Sequence, residues 1–151
     1  MSKNETQMRS ELDELLRNNG ITHFRAVEVS QPSVHYSLNG QPTVNTVAPR
    51  KFWPNLVAVC KLAEEIRAAF GKPVIVLSGY RNPAYNKCIG GATHSYHMKG
   101  MALDIRVPGC TTRAVFEWME KKYRRKYGRG LYARFVHIDV RPYYSRWFGG
   151  R

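Results

Sequence analysis

With 151 residues, 43% hydrophobic and 23% charged, the chain suits one globular domain with its own core and excludes a disordered or fibrous protein. The formal net charge is +13, concentrated toward the end, where from Arg113 onward 11 Lys and Arg stand against 3 Asp and Glu. No apolar run is long enough to span a bilayer, and the polar start Met1-Ser2-Lys3 is not a secretory signal, so synthesis as a soluble cytosolic product is expected.

In chain order, Met8, Leu12, Leu15 and Leu16 share one helical face, and Asn19-Gly20 supplies a stop, which predicts an opening helix within residues 1–20. Residues 30–50, rich in Ser, Pro, Asn, Gly and Thr, read as a long irregular connection bordering a site. A helix is predicted from Pro54 through Leu56, Val59, Cys60, Ala63, Ile66 and Phe70, closed by Gly71 and Pro73. The β-branched run Val74-Ile75-Val76-Leu77 predicts a buried central strand with Ser78-Gly79-Tyr80-Arg81 at its exit. Beyond the Gly90-Gly91 loop, Leu103, Ile105 and Val107 alternate with Ala102, Asp104 and Arg106, so a strand turns Asp104 away from its apolar face.

Thr111 or Thr112 caps the next predicted helix, which carries Val115, Trp118, Met119 and Tyr123 and ends by Gly128. In the strand predicted over residues 135–140, Val136, Ile138 and Val140 lie on one side and His137 and Asp139 on the other. The aromatic tail, Tyr143-Tyr144-Ser145-Arg146-Trp147-Phe148, is expected to close the core, with a substrate or glycan platform as the alternative. Three cysteines are too few for a disulfide framework: Cys60 reads as core, and Cys88 and Cys110 fall in loops where a bridge is open but not expected.

The chemistry concentrates in Ser95-Tyr96-His97-Met98-Lys99-Gly100-Met101-Ala102-Leu103-Asp104 and in Phe135-Val136-His137-Ile138-Asp139. Two imidazoles and one carboxylate, His97, His137 and Asp104, are the set that holds a catalytic zinc with a position left for water, whereas structural sites close with thiolates. Hydrolysis is the reaction class this suggests. His94 lies near the same segment and lines the cleft or the surface, while His23 and His35 have no partner pattern and read as structural.

These blocks, with Ser78-Gly79-Tyr80-Arg81-Asn82-Pro83-Ala84-Tyr85-Asn86 and Gly90-Gly91-Ala92 between them, resemble the zinc D-Ala-D-Ala carboxypeptidase family. That family takes in vancomycin-resistance D,D-dipeptidases, phage L-alanyl-D-glutamate endopeptidases and, structurally, the hedgehog signalling domain. The resemblance covers roughly residues 50–140 of a single domain spanning 1–151. It implies an α+β fold of the hedgehog/DD-peptidase type, with a small, mainly antiparallel central sheet flanked by helices. It further implies one Zn2+ per chain on His97, Asp104 and His137, and a peptidase that hydrolyses peptidoglycan stem peptides by zinc-activated water.

Arg81 resembles the family's arginine in the same block and is expected to stabilise the oxyanion; a salt bridge or a clamp on the substrate carboxylate are its alternatives. Ser95 resembles the serine before the zinc histidine and either binds substrate or caps the loop. Several relatives place a carboxylate three residues before the last zinc histidine, where this chain has Arg134. Asp139 is therefore expected as the base, with a purely orienting role as the alternative.

The scissile bond, D-Ala-D-Ala or L-Ala-D-Glu, is left open by the sequence, because loops 30–50 and 81–94 are expected to shape the pocket. The basic end suits anionic cell-wall polymers, or merely solvates the face around Lys121, Lys122, Arg124, Arg125 and Lys126. A nucleic-acid-binding domain has charge in its favour but no helix-turn-helix, RNP motif or zinc finger. The main alternative is an inactive zinc-containing wall-binding or virion module. A monomer is expected, acting at the wall after phage-type release or as a virion component.

Overall fold

The hydroxyl of Ser2 accepts the Glu5 amide proton at 3.1 Å and opens the first helix, α1 (Lys3–Asn18), which stops at Asn19 as its sequence predicts. The computed structural model describes residues 2–149. Helix α1 buries Leu12 and Leu16, and with them Arg9, whose Nε donates to the Ser30 carbonyl at 2.9 Å. A single turn, α2 (Ala26–Val29), is fixed to α1 by Asp13, which accepts the Ala26 amide at 2.6 Å.

The stretch expected to be irregular holds an antiparallel hairpin, β1 (Val34–Tyr36) and β2 (Pro42–Val44). Val34, Tyr36 and Val44 are exposed, so these short strands lack the buried alternation by which a strand is recognised. Buried Asn45 ties the hairpin to the molecule. Its Nδ2 donates to Gln31 O and Tyr80 O at 2.9 and 2.8 Å, and its Oδ1 accepts the Asn82 amide at 2.8 Å.

Helix α3 (Trp53–Phe70) has Pro54 in its first turn and ends at Gly71 in the left-handed conformation. It buries Leu56, Val59, Cys60, Ala63 and Ile66, the face its spacing predicts. Asn82 caps the short α4 (Pro83–Cys88), and Thr111 caps α5 (Thr112–Lys122) by accepting the Ala114 amide at 3.0 Å.

Five strands form the main sheet: β3 (Ile75–Ser78), β4 (Ala102–Arg106), β5 (Gly128–Leu131), β6 (Val136–Asp139) and β7 (Ser145–Phe148). Their order is β3-β4-β6-β5-β7, antiparallel except for the parallel pair β5/β7. The fold is thus α+β with a mainly antiparallel sheet, as expected. One strand is misplaced by its sequence: β3 is an edge strand, not a central one, and Leu77 is 43% exposed. Four apolar residues in a row do not distinguish edge from centre.

Strands β5 and β7 have no counterpart in the sequence reading, because Gly-Arg-Gly-Leu and Ser-Arg-Trp-Phe carry no apolar alternation. The reason lies in Arg129, which is fully buried: NH1 donates to Met119 O at 2.7 Å and NH2 to Tyr123 O at 2.6 Å, satisfying carbonyls at the end of α5. Leu103 and Ile105 from β4, Val107 just beyond it, and Val136 and Ile138 from β6 join the residues of α1, α3 and α5 in one core. The opposite face of β4 and β6 is left for polar side chains. Among the described residues the three cysteines are free thiols and no helix is long and apolar enough to cross a membrane.

Candidate metal centre

Asp104 on β4 stands opposite His137 on β6 in the antiparallel register, so both side chains project from the same face. His97 arrives from the other direction, on a 3-10 turn (Tyr96–Lys99) whose cap is Ser95; the Ser95 Oγ accepts the His97 amide at 3.2 Å. One donor atom from each of His97, Asp104 and His137 lies within 4.8 Å of the others. His97 Nε2 is 3.2 Å and His137 Nδ1 3.0 Å from Asp104 Oδ1.

The second nitrogen of each ring fixes its tautomer. His97 Nδ1 lies 2.7 Å from the Gly79 carbonyl, which can only accept, so Nδ1 carries the proton and Nε2 presents its lone pair. His137 Nε2 donates to Asp139 Oδ2 at 2.8 Å, which leaves Nδ1 for the centre. Gly79 is required by this packing, because a Cβ there would lie 2.2 Å from the Val29 carbonyl oxygen. Two neutral imidazoles with one carboxylate, converging at the floor of an open cleft, fit a zinc ion that keeps a position for water or substrate.

Electrostatics favour the neutral ring at His97 and the ionised carboxylate at Asp104, whereas the two carboxylates beside His137 favour its protonated form, whose Nδ1 proton a bound cation would displace. Burial pushes the His97 imidazolium down, against the pull of Asp104. Burial alone would raise the Asp104 carboxyl, but the charges and hydrogen bonds of His97 and His137 prevail and hold it well below the usual carboxylate range. For His137 burial acts downward and is overcome by hydrogen bonds to Asp104 and Asp139, which raise it.

The cleft above these groups encloses about 540 Å³. Arg81 lines it, with Nε donating to Ser78 Oγ at 3.0 Å, NH1 to Asn86 Oδ1 at 3.2 Å and NH2 to Asp104 Oδ2 at 3.2 Å. Burial lowers its pKa against the Coulombic support of Asp104. Of the readings open for Arg81, the ion pair is present and the guanidinium also faces the cleft. Buried Asn86, which holds Arg81, has no signal in the sequence beyond its place in the matched block.

Asp139 is fully buried and does not line the cleft. Besides His137 it accepts from Arg141: Nε to Oδ1 at 2.8 Å, NH2 to Oδ2 at 2.7 Å, and the Arg141 amide to Oδ1 at 3.1 Å. Burial would raise this carboxyl, yet the bonds from Arg141 and His137 hold it well below the usual range. It sits behind His137 with both of its oxygens already hydrogen-bonded. Arg141 escaped the sequence reading, although the alternation His137, Asp139, Arg141 continues the same period of two.

Arg134 is exposed and outside the cleft lining. His94 is exposed and at the cleft, His23 pairs with Glu64 at 2.6 Å, and His35 sits on β1. The tail does more than close the core. Trp147 and Tyr143 line the cleft with Tyr132 and Phe135, the Trp147 ring 5.1 Å from that of His137, while Phe148 is 60% exposed.

The profile of the family described as Peptidase M15 matches residues 35–139, more than half of the chain. The chain belongs to the peptidase M15 family, a family of zinc-dependent metallopeptidases, and its His97, Asp104 and His137 cluster is compatible with that metal. A search of curated proteins gave no match.

Proposed function

We propose that this protein is a zinc peptidase that hydrolyses the stem peptide of peptidoglycan, as a D-Ala-D-Ala carboxypeptidase or an L-Ala-D-Glu endopeptidase, with His97, Asp104 and His137 holding one zinc. The observation that carries the reading is the convergence of these three donors, tautomers fixed, at the floor of the cleft. Zinc, when bound, acts as a Lewis acid and lowers the pKa of its water to about 7.

The chain's own side chains supply orientation and charge. Gly79 O holds the His97 ring and Asp139 holds the His137 ring. Arg81 brings a cation to the cleft wall, suited to a developing oxyanion or to the carboxylate of the substrate. Ser95 presents its side chain at the cleft while capping the turn that carries His97. Tyr132, Phe135, Tyr143 and Trp147 form an aromatic wall along which a peptide or its glycan can lie. The basic surface suits attachment to anionic wall polymers, after phage-type release or from a virion.

One observation favours a second reading, an inactive wall-binding module: Asp104 is the only carboxylate that lines the cleft among the described residues. Metal analysis and a mass-spectrometric digest of defined muropeptides separate the two. The peptidase reading expects about one zinc per chain and a defined product, released D-alanine or a cut L-Ala-D-Glu bond, both lost in His97→Ala. Zinc with wall binding but no product on any muropeptide supports the module instead.

A further inference from the structure

In the wall of the cleft, one arginine is held more elaborately than a surface cation needs to be. Arg141 lies immediately beyond β6 and grips Asp139 through two parallel N–H···O bonds of 2.8 and 2.7 Å, while Asp139 in turn holds His137 Nε2 at 2.8 Å. The guanidinium is boxed by aromatic rings, with Tyr96 at 4.6 Å, Trp147 at 5.0 Å and Tyr143 at 5.5 Å from its central carbon. Tyr96 precedes His97 in the chain, and the Trp147 ring borders that of His137. The box therefore joins the two segments that bring the histidines.

We propose that Arg141 is a positioning residue of the metal centre: it fixes Asp139, and through Asp139 the ring of His137 with Nδ1 turned to the cleft. The proposal rests on the assignment of His137 as a ligand made above. Its chemistry follows from geometry. A buried carboxylate with one imidazole partner can rotate about its own axis, and the ring it holds tilts with it. A planar guanidinium bonded to both oxygens fixes the plane of the carboxylate, which a lysine, carrying a point charge, does not do.

The neighbouring strand is built around this clamp. Gly128 on β5 is the register partner of Asp139, and a Cβ there would lie 2.4 Å from Asp139 Oδ1 and 2.5 Å from Arg141 Nε. Gly128 lies outside the positive-φ region, so here the absent side chain serves space rather than backbone conformation. A methyl group at that position displaces the clamp without touching a ligand.

The test compares wild type with Arg141→Lys and Gly128→Ala, each checked for a native circular dichroism spectrum. It measures zinc affinity by chelator competition and the visible absorption of the cobalt-substituted protein. The expected result is a loss of about 10- to 100-fold in zinc affinity for both variants and an altered cobalt band, with kcat falling more than KM rises. Cys60→Ala, in the core away from the site, controls for lost stability and keeps wild-type affinity and spectrum. Folded variants that retain the wild-type zinc affinity and cobalt spectrum overturn the proposal. Should Arg141→Lys not fold, Gly128→Ala decides alone. A wild-type protein that binds no zinc overturns both the ligand assignment and this inference. One that binds zinc without cutting muropeptides overturns only the peptidase reading, and the affinities still decide the role of Arg141.

Discussion

Asp104 and His137, 33 residues apart in sequence, are direct cross-strand partners on β4 and β6, with Asp104 Oδ1 3.0 Å from His137 Nδ1. Two of the three candidate ligands are thus fixed by a sheet whose other face is core, and only His97 depends on a turn. Asp104→Ala is expected to abolish zinc binding and muropeptide cleavage while the sheet remains folded. Prolonged chelation of the wild type is expected to remove activity that added zinc restores. Metal content after dialysis, read beside circular dichroism, checks both. A folded Asp104→Ala protein with one tight zinc sinks the assignment.

Arg81 is tethered at three points, to Ser78, Asn86 and Asp104, so its guanidinium is placed before any substrate arrives. Arg81→Ala is expected to lower kcat by about 10²- to 10³-fold if it faces the oxyanion, with Arg81→Lys intermediate. Steady-state kinetics on a defined muropeptide separate the alternatives, since a change confined to KM identifies a carboxylate clamp that acts on binding alone.

What the sequence makes legible here is whatever repeats with a period. The faces of α1 and α3, and the opposition of Asp104 and of His137 with Asp139 to their apolar neighbours, follow from spacings of 3.6 and 2. What stays hidden depends on partners distant in sequence. Strand β3 reads as central because its residues are apolar, yet nothing in four residues reports that no strand lies beyond it. Strand β5 is invisible because its two glycines leave room for side chains of other elements, the Asp139–Arg141 clamp at Gly128 and the Trp147 ring at Gly130. The contact of Asp139 with Arg141 is not legible in the sequence, and only the folded chain shows that both oxygens are already occupied.

The buried Arg129 makes a prediction about stability rather than catalysis. Its guanidinium supplies the carbonyls of Met119 and Tyr123 with donors and lies 3.4 Å from Glu120. Arg129→Met fills part of the volume but removes the charged donor from both carbonyls and from Glu120, which keep only the Tyr123 and Lys126 amides and Arg146, at a cost of about 2 kcal/mol. Urea unfolding followed by fluorescence checks this, and a midpoint equal to that of wild type contradicts it.

Cys60 gives a pH dependence that lies apart from the metal centre. Full burial, reinforced by the charges of Glu64 and Glu28, pushes its thiol far above the ordinary value. Below about pH 8.5, the ordinary thiol pKa, folded and unfolded chains both keep the proton and the group contributes no slope. Above it the unfolded chain releases the proton while the folded chain retains it, so the folded state binds more protons and stability falls as pH rises. The slope from this one group approaches about −1.4 kcal/mol per pH unit. Cys60→Ala is expected to be less stable at pH 7 because it opens a small cavity, yet to lose less stability than wild type between pH 8 and 10. Parallel slopes for the two proteins in urea unfolding across that range contradict the burial argument. Alkylation offers a second reading of the same barrier: iodoacetamide at pH 8.5 is expected to label exposed Cys88 in the native protein and to reach Cys60 only after denaturation.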